Sequence, residues 1–220
     1  MADAVKSSRR YESPKRQEQA RATRRAIVEA ARSLFLSRGY SGTTIDAVAR
    51  EAGVAVQTVY AAFGSKPEIL KTVIDVAVAG GDAPQPLVDS EAVRTIDAQP
   101  DIHGRARTLA ALLGRIQGRT AAVAQVVREA ASADPEVGEL WRAMQADRSA
   151  RMVGAARSLV GDGVPPRPLE EIRDLLYVLT SPEVYQLFVV DRLWTPERYE
   201  DWLAESLEAV VNRPAPDPSG

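Results

Sequence analysis

Residues 43–66 read TTIDAVAREAGVAVQTVYAAFGSK. Ile45, Val48 and Ala49 make a short apolar face that stops at Gly53, and Val59 and Phe63, four residues apart, begin a second face that Gly64 and Ser65 interrupt. Thr43 and Asp46 have the spacing of an N-cap and its N3 partner for the first of these helices. The unit is helix, tight turn, helix, with Gln57, Thr58 and Tyr60 left on the outer side of the second rod. A helix of that length fits a DNA major groove about 12 Å wide, where polar side chains reach base edges. An ordinary helical hairpin inside an all-α domain has the same periodicity, which alone leaves both readings open.

Upstream, Ile27, Ala30, Ala31, Leu34 and Phe35 fall on one helical face before Gly39, predicting a helix near 21–37. Residues 1–20 show no apolar period and are expected to form a basic, flexible arm. Downstream, Ser65 can cap a fourth helix with Pro67 in its first turn and Ile69, Val73 and Ala77 facing inward, ending at Gly80 and Gly81. Residues 80–100, with Pro84, Pro86 and Pro100, are expected to connect two domains. Further helices are expected near 101–117, 119–132, 135–160, 168–180, 182–191 and 196–211, the first two parted by Gly118. No alternating strand pattern competes with them. The expected fold is all-α: an arm over 1–20, a three-helix helix-turn-helix domain over 21–66, a larger helical domain over 67–212, to which the family resemblance given below assigns ligand binding and dimerisation, and a disordered tail over 213–220.

The 220 residues are 45% hydrophobic and 26% charged, ordinary values for a chain that folds by burying side chains in water. The absence of cysteine removes thiol chemistry and zinc ribbons, and the single histidine, His103, rules out most histidine-built metal sites. The net charge of -2 hides an asymmetry: residues 1–71 hold 13 basic and 7 acidic groups, whereas residues 72–220 hold 15 and 23. The first third can attract a polyanion and the remainder cannot. Within residues 1–25, eight basic residues oppose Asp3, Glu12 and Glu18, an excess suited to tracking phosphates or entering a minor groove. No apolar run reaches the length of a signal-peptide core or a membrane span, so a cytoplasmic location with no membrane contact is expected.

The run AIVEAARSLFLSRGYSGTTIDAVAREAGVAVQTVYAAFGSKPEIL, residues 26–70, resembles the tetracycline-repressor-like (TetR) transcriptional regulators. The order of phenylalanine, Gly-Tyr, Thr-Thr, Ala-Gly-Val, Tyr, Phe and Ser-Lys carries the resemblance across about a fifth of the chain. It implies a homodimer on a palindromic, double-stranded operator, a second domain that senses a small molecule, and repression relieved by that effector. It also implies DNA-binding roles for Thr43 and Thr44 at the start of the second helix, Gln57 and Thr58 in the groove, Tyr60 on a phosphate or base, and Lys66 on a phosphate. The chemistry suits those roles: a hydroxyl donates to phosphate, glutamine pairs bidentately with adenine, and lysine supplies a point charge. Val56, Ala61 and Ala62 depart from the family's usual polar and aromatic choices, which thins direct base readout.

In the second domain, 12 of the 20 residues over 171–190 are apolar, too many for one buried face. Either a partner subunit covers the second face, as the resemblance implies, or this is the monomer's central helix. Leu112 and Ile116, with Leu109 and Leu113, and Trp141 and Met144, with Met152, are candidates to line a ligand cavity between helices, with Arg128 and Glu129 as polar anchors. No nucleophile elbow, phosphate-cradling loop or Glu-x-x-His pair is present, so no catalytic residue, metal ligand or cofactor is assigned. The alternatives to a regulator are an all-α small-molecule-binding enzyme and a protein-interaction module, each retaining a helix-turn-helix fold.

Overall fold

Ile27, Ala30, Ala31, Leu34 and Phe35 are all buried along one side of α1 (Pro14–Arg38). The helix stops where Gly39 takes a φ of 68° and its N–H bonds to the Phe35 carbonyl. A left-handed residue is needed for that reversal, and a Cβ there would cost roughly 1–2 kcal/mol. The computed structural model describes residues 14–80 and 91–213, and every regular element in them is helical. α1 begins earlier than the spacing predicts: residues 14–20 of the expected arm are helical, with side chains 15–20 in solvent. Strong helix formers there extend a helix already nucleated by the core, and Pro14 suits a first turn. Residues 1–13 of the expected arm lie outside the described residues.

α2 (Ile45–Glu51) and α3 (Val56–Phe63) form the helix-turn-helix, joined by Gly53 at φ 67°. The N-cap of α2 is Thr44, whose hydroxyl oxygen accepts the Ala47 N–H at 3.1 Å, not Thr43 as the spacing with Asp46 suggested. Thr43 is fully buried and donates its hydroxyl to the Gly39 carbonyl at 2.8 Å, closing the turn after α1. α4 (Lys66–Ala79) begins at the expected cap, with Ser65 accepting the Glu68 N–H, and ends at left-handed Gly80.

The stretch expected to be a bare connection contains α5 (Glu91–Asp97), which docks Ile96; residues 81–90 lie outside the described residues. Next, α6 (Ile102–Ala130) runs unbroken through Gly118. Glycine reads here as a close approach rather than a stop. A Cβ on Gly118 would lie 3.2 Å from the Tyr185 hydroxyl, and one on Gly114 would lie 2.7 Å from Glu200. The remaining helices match the expected positions: α7 (Pro135–Val160), α8 (Leu169–Leu179), α9 (Pro182–Tyr185) with π-helical turns over Gln186–Asp191, and α10 (Pro196–Asn212). Of the expected tail, Arg213 caps α10 and the rest lies outside the described residues.

Two hydrophobic cores share α6. The first joins α1–α4 to Val123, Val126, Val127 and Ala130 near the end of α6 and to Val137 of α7. A second core gathers Leu109 and Leu113 of α6 with α7, α8 and α10 around Tyr199, Leu203 and Leu207. A boundary at residue 66 therefore falls inside the first core, which needs Ile69, Leu70, Val73 and Ile74 of α4.

Candidate functional site

Val59 and Phe63 anchor α3 in the core, and the opposite side of this short rod stays in water. Gln57 is exposed, Thr58 half-buried and Tyr60 52% exposed, so the first turn of α3 and its outer face present an amide, a hydroxyl and a phenol together. Thr44 stands exposed at the start of α2, its hydroxyl proton available while its oxygen caps the helix. These four side chains keep the surface positions expected of them. Thr43 does not: its side chain is sealed beneath the turn and cannot reach a ligand.

Lys66 is also more inward than expected. Its ammonium donates to the Tyr40 and Thr43 carbonyls at 3.0 and 3.1 Å and sits 3.9 Å from the centre of the Tyr40 ring. Burial pushes its pKa below the ordinary lysine value, with Asp134 pulling the other way. Lys66 thus fastens the start of α4 to the turn between α1 and α2. Tyr40 reaches on to the second domain, donating its hydroxyl to the Asp134 carboxylate at 2.7 Å. Burial and that bond hold the phenol well above its usual range, and the same bond holds the carboxyl of Asp134, the N-cap of α7, below its own. Arg24, counted with the basic arm, donates to the Ala62 carbonyl at 2.7 Å and lies 4.0 Å over the Phe63 ring, so it braces the end of α3.

In the second domain, a cavity of about 970 Å³ opens between α4, α6 and α7 and beneath α1. Leu112, Ile116, Trp141 and Met144 line it, as do Leu109, Leu113 and Met152. The sequence missed its polar groups, among them Gln117, Thr120, Arg148 and Arg151. Gln117 donates to the Thr180 carbonyl, and Gln145 donates to the Tyr177 hydroxyl at 2.8 Å. Helical spacing alone cannot tell an inward polar residue from a solvated one. Arg128 and Glu129, proposed as polar anchors from sequence, lie outside this cavity: Arg128 pairs with Glu183 at 2.8 Å and Glu129 accepts from Gln125. Arg119 of α6 grips the end of α4, its guanidinium donating to the Ala77 carbonyl at 3.0 Å.

The apolar 171–190 segment buries Ile172, Leu176 and Tyr185 but leaves Val178, Leu187 and Val190 more than half exposed. Leu193, 83% exposed and strained at φ 55°, adjoins them in sequence. No helix among the described residues is long and apolar enough to cross a membrane, and no metal-binding cluster of His, Asp or Glu occurs there.

Fold and surface define a helix-turn-helix protein with an appended helical domain. Residues 27–73 match the family profile described as Bacterial regulatory proteins, tetR family. Over 56 residues the chain is 41% identical to the HTH-type transcriptional regulator SrpR of Pseudomonas putida, a match covering 26% of each protein. It is 39% identical over 56 residues to the uncharacterized HTH-type transcriptional regulator TtgW, also of Pseudomonas putida, covering 26% of this chain and 42% of that one. The aligned stretch thus spans less than half of either curated relative. Across nearly the full length, the fold is similar to that of NalD, the secondary repressor of the MexAB-OprM multidrug efflux pump in Pseudomonas aeruginosa, with a TM-score of 0.67 at 17% identity, covering 89% of this chain and 98% of that one. The family profile thus covers the amino-terminal domain, and the likeness across the rest of the chain is one of fold.

Proposed function

We propose that this protein is a ligand-responsive transcriptional repressor that binds a palindromic operator as a homodimer. The observation that carries this reading is α3: a short helix locked by Val59 and Phe63 that presents Gln57, Thr58 and Tyr60 outward, while Thr44 stands exposed at the start of the preceding helix. Gln57 offers adenine a donor and an acceptor, while Thr44 donates to phosphate. The exposed basic side chains Lys15, Arg16 and Arg21 of α1, with the basic residues before them in sequence, supply phosphate contacts that add affinity without sequence preference. The exposed Val178, Leu187 and Val190 form the face that a second copy covers, placing two α3 helices on half-sites roughly 34–36 Å apart.

The cavity is the effector site. α4 forms part of its wall and also belongs to the core of the DNA-binding domain, so a ligand that favours one placement of α4 shifts the separation of the two α3 helices. Selection from random duplex DNA with the full chain tests the reading. The expected product is an inverted repeat with half-sites one helical turn apart; recovery of unrelated sequences contradicts it. Deleting residues 1–20 should weaken binding to the selected duplex and flatten its salt dependence, and an unchanged slope would exclude the arm from phosphate contact.

A further inference from the structure

Arg148 and Arg151 stand one turn apart on α7, and both line the cavity. The Arg148 guanidinium donates to the Tyr177 carbonyl and lies 3.9 Å over the Tyr177 ring, contacts that position it without neutralising it. Arg151, half-buried, makes no hydrogen bond or ion pair among the described residues. Glu183, whose charge reaches Arg148, is held by Arg128. The acidic residues of the cavity wall are all at exposed positions: Glu29, Glu68, Asp147, and Asp75, which is paired with Lys71 at 3.2 Å. The buried part of the wall is therefore apolar or neutral and polar, with two guanidinium groups lacking an anion.

We propose that the cavity takes an amphipathic organic anion, an apolar body bearing one carboxylate, with the carboxylate on Arg148 and Arg151 and the body among Leu112, Ile116, Trp141 and Met144. A planar guanidinium matches a carboxylate bidentately, and a partly dehydrated cation gains most from such a partner. Burial already works against the charge of Arg148, whose pKa is lowered mainly by desolvation. An organic cation would instead meet two unneutralised like charges in a region of low dielectric. The space, about 970 Å³, lies at the upper end of ordinary ligand sites and admits a body of fatty-chain or drug size, while Met144 adapts to its shape.

The inference rests on the effector-site reading above, and calorimetry on the full chain separates the two. Three probes with one tail are titrated below their micelle thresholds: dodecanoate, dodecyltrimethylammonium and 1-dodecanol. Dodecanoate should bind at least about tenfold more tightly than either of the others. Arg151→Gln should remove most of that preference, Arg151→Lys should restore part of it, and Arg157→Gln, an equal charge change at an exposed site outside the cavity, should leave it intact. Equal or tighter binding of the ammonium probe, binding of none of the three, or indifference to Arg151→Gln overturns the proposal. If dodecanoate binds through Arg151 but leaves operator affinity unchanged, the ligand class stands and the effector reading fails.

Discussion

Gln57 is exposed and Thr43 buried in the same small domain, and their variants should separate recognition from folding. Gln57→Ala removes an exposed amide and should cost about 1–3 kcal/mol of operator binding with the unfolding midpoint unchanged. Thr43→Val removes the buried bond to Gly39 and should cost about 1 kcal/mol of stability, with the folded fraction binding DNA normally. Asp134 adds a pH signature. Its folded carboxyl sits below the ordinary range, so its contribution to stability is complete above the unfolded pKa of about 4 and is lost as pH falls through the lower folded value. Denaturant titrations should show a wild-type advantage over Asp134→Asn that is flat above about pH 5 and shrinks below about pH 4; growth on acidification would contradict the assignment. Several of these roles were hidden in the sequence for a physical reason. Thr43 and Thr44 are equally good caps on paper, and only the turn geometry selects one. Tyr40 and Asp134 are 94 positions apart, and Lys66 finds its carbonyls 23 and 26 positions away, distances that no local pattern encodes.

At the scale of elements, helices with one apolar stripe were the most legible. Ile27 to Phe35 in α1 and Ile69, Val73 and Ala77 in α4 are buried as their spacing requires. α6 was not legible as a single rod, because its glycines admit Tyr185 and Glu200 instead of ending the helix, and a central helix buried on several sides has no polar face to mark its course. α5 is too short to show a period. α10 holds one polar anomaly: the Tyr199 hydroxyl is buried with no hydrogen-bond partner among the described residues, and its ring meets that of Tyr185 edge-on, centroids 4.9 Å apart. An unsatisfied buried hydroxyl costs about 1–3 kcal/mol, so Tyr199→Phe should leave the urea midpoint unchanged or raise it. A clear fall would show that the phenol has a partner in solution.

In the whole molecule, the cavity and the helix-turn-helix are joined through one packed helix. The first core extends into α6 and α7, Arg119 ties α6 to the end of α4, and α4 walls the cavity. The cavity's apolar lining was legible at Leu112, Ile116, Trp141 and Met144 because large apolar side chains at helical spacing must be buried somewhere. Its arginines were not, since a charge on a helix ordinarily faces water. Leu187→Glu on the exposed apolar face should convert a sedimenting dimer into a monomer that keeps its helical spectrum; a dimer that survives would move the interface elsewhere. The central claim, that α3 reads base edges, is tested most directly by measuring wild-type and Gln57→Ala affinities for the selected duplex and for every single-base-pair variant of it. The substitution should erase discrimination at one symmetric pair of positions and preserve it at the others. A uniform loss across all duplexes, or none at any, would contradict that claim.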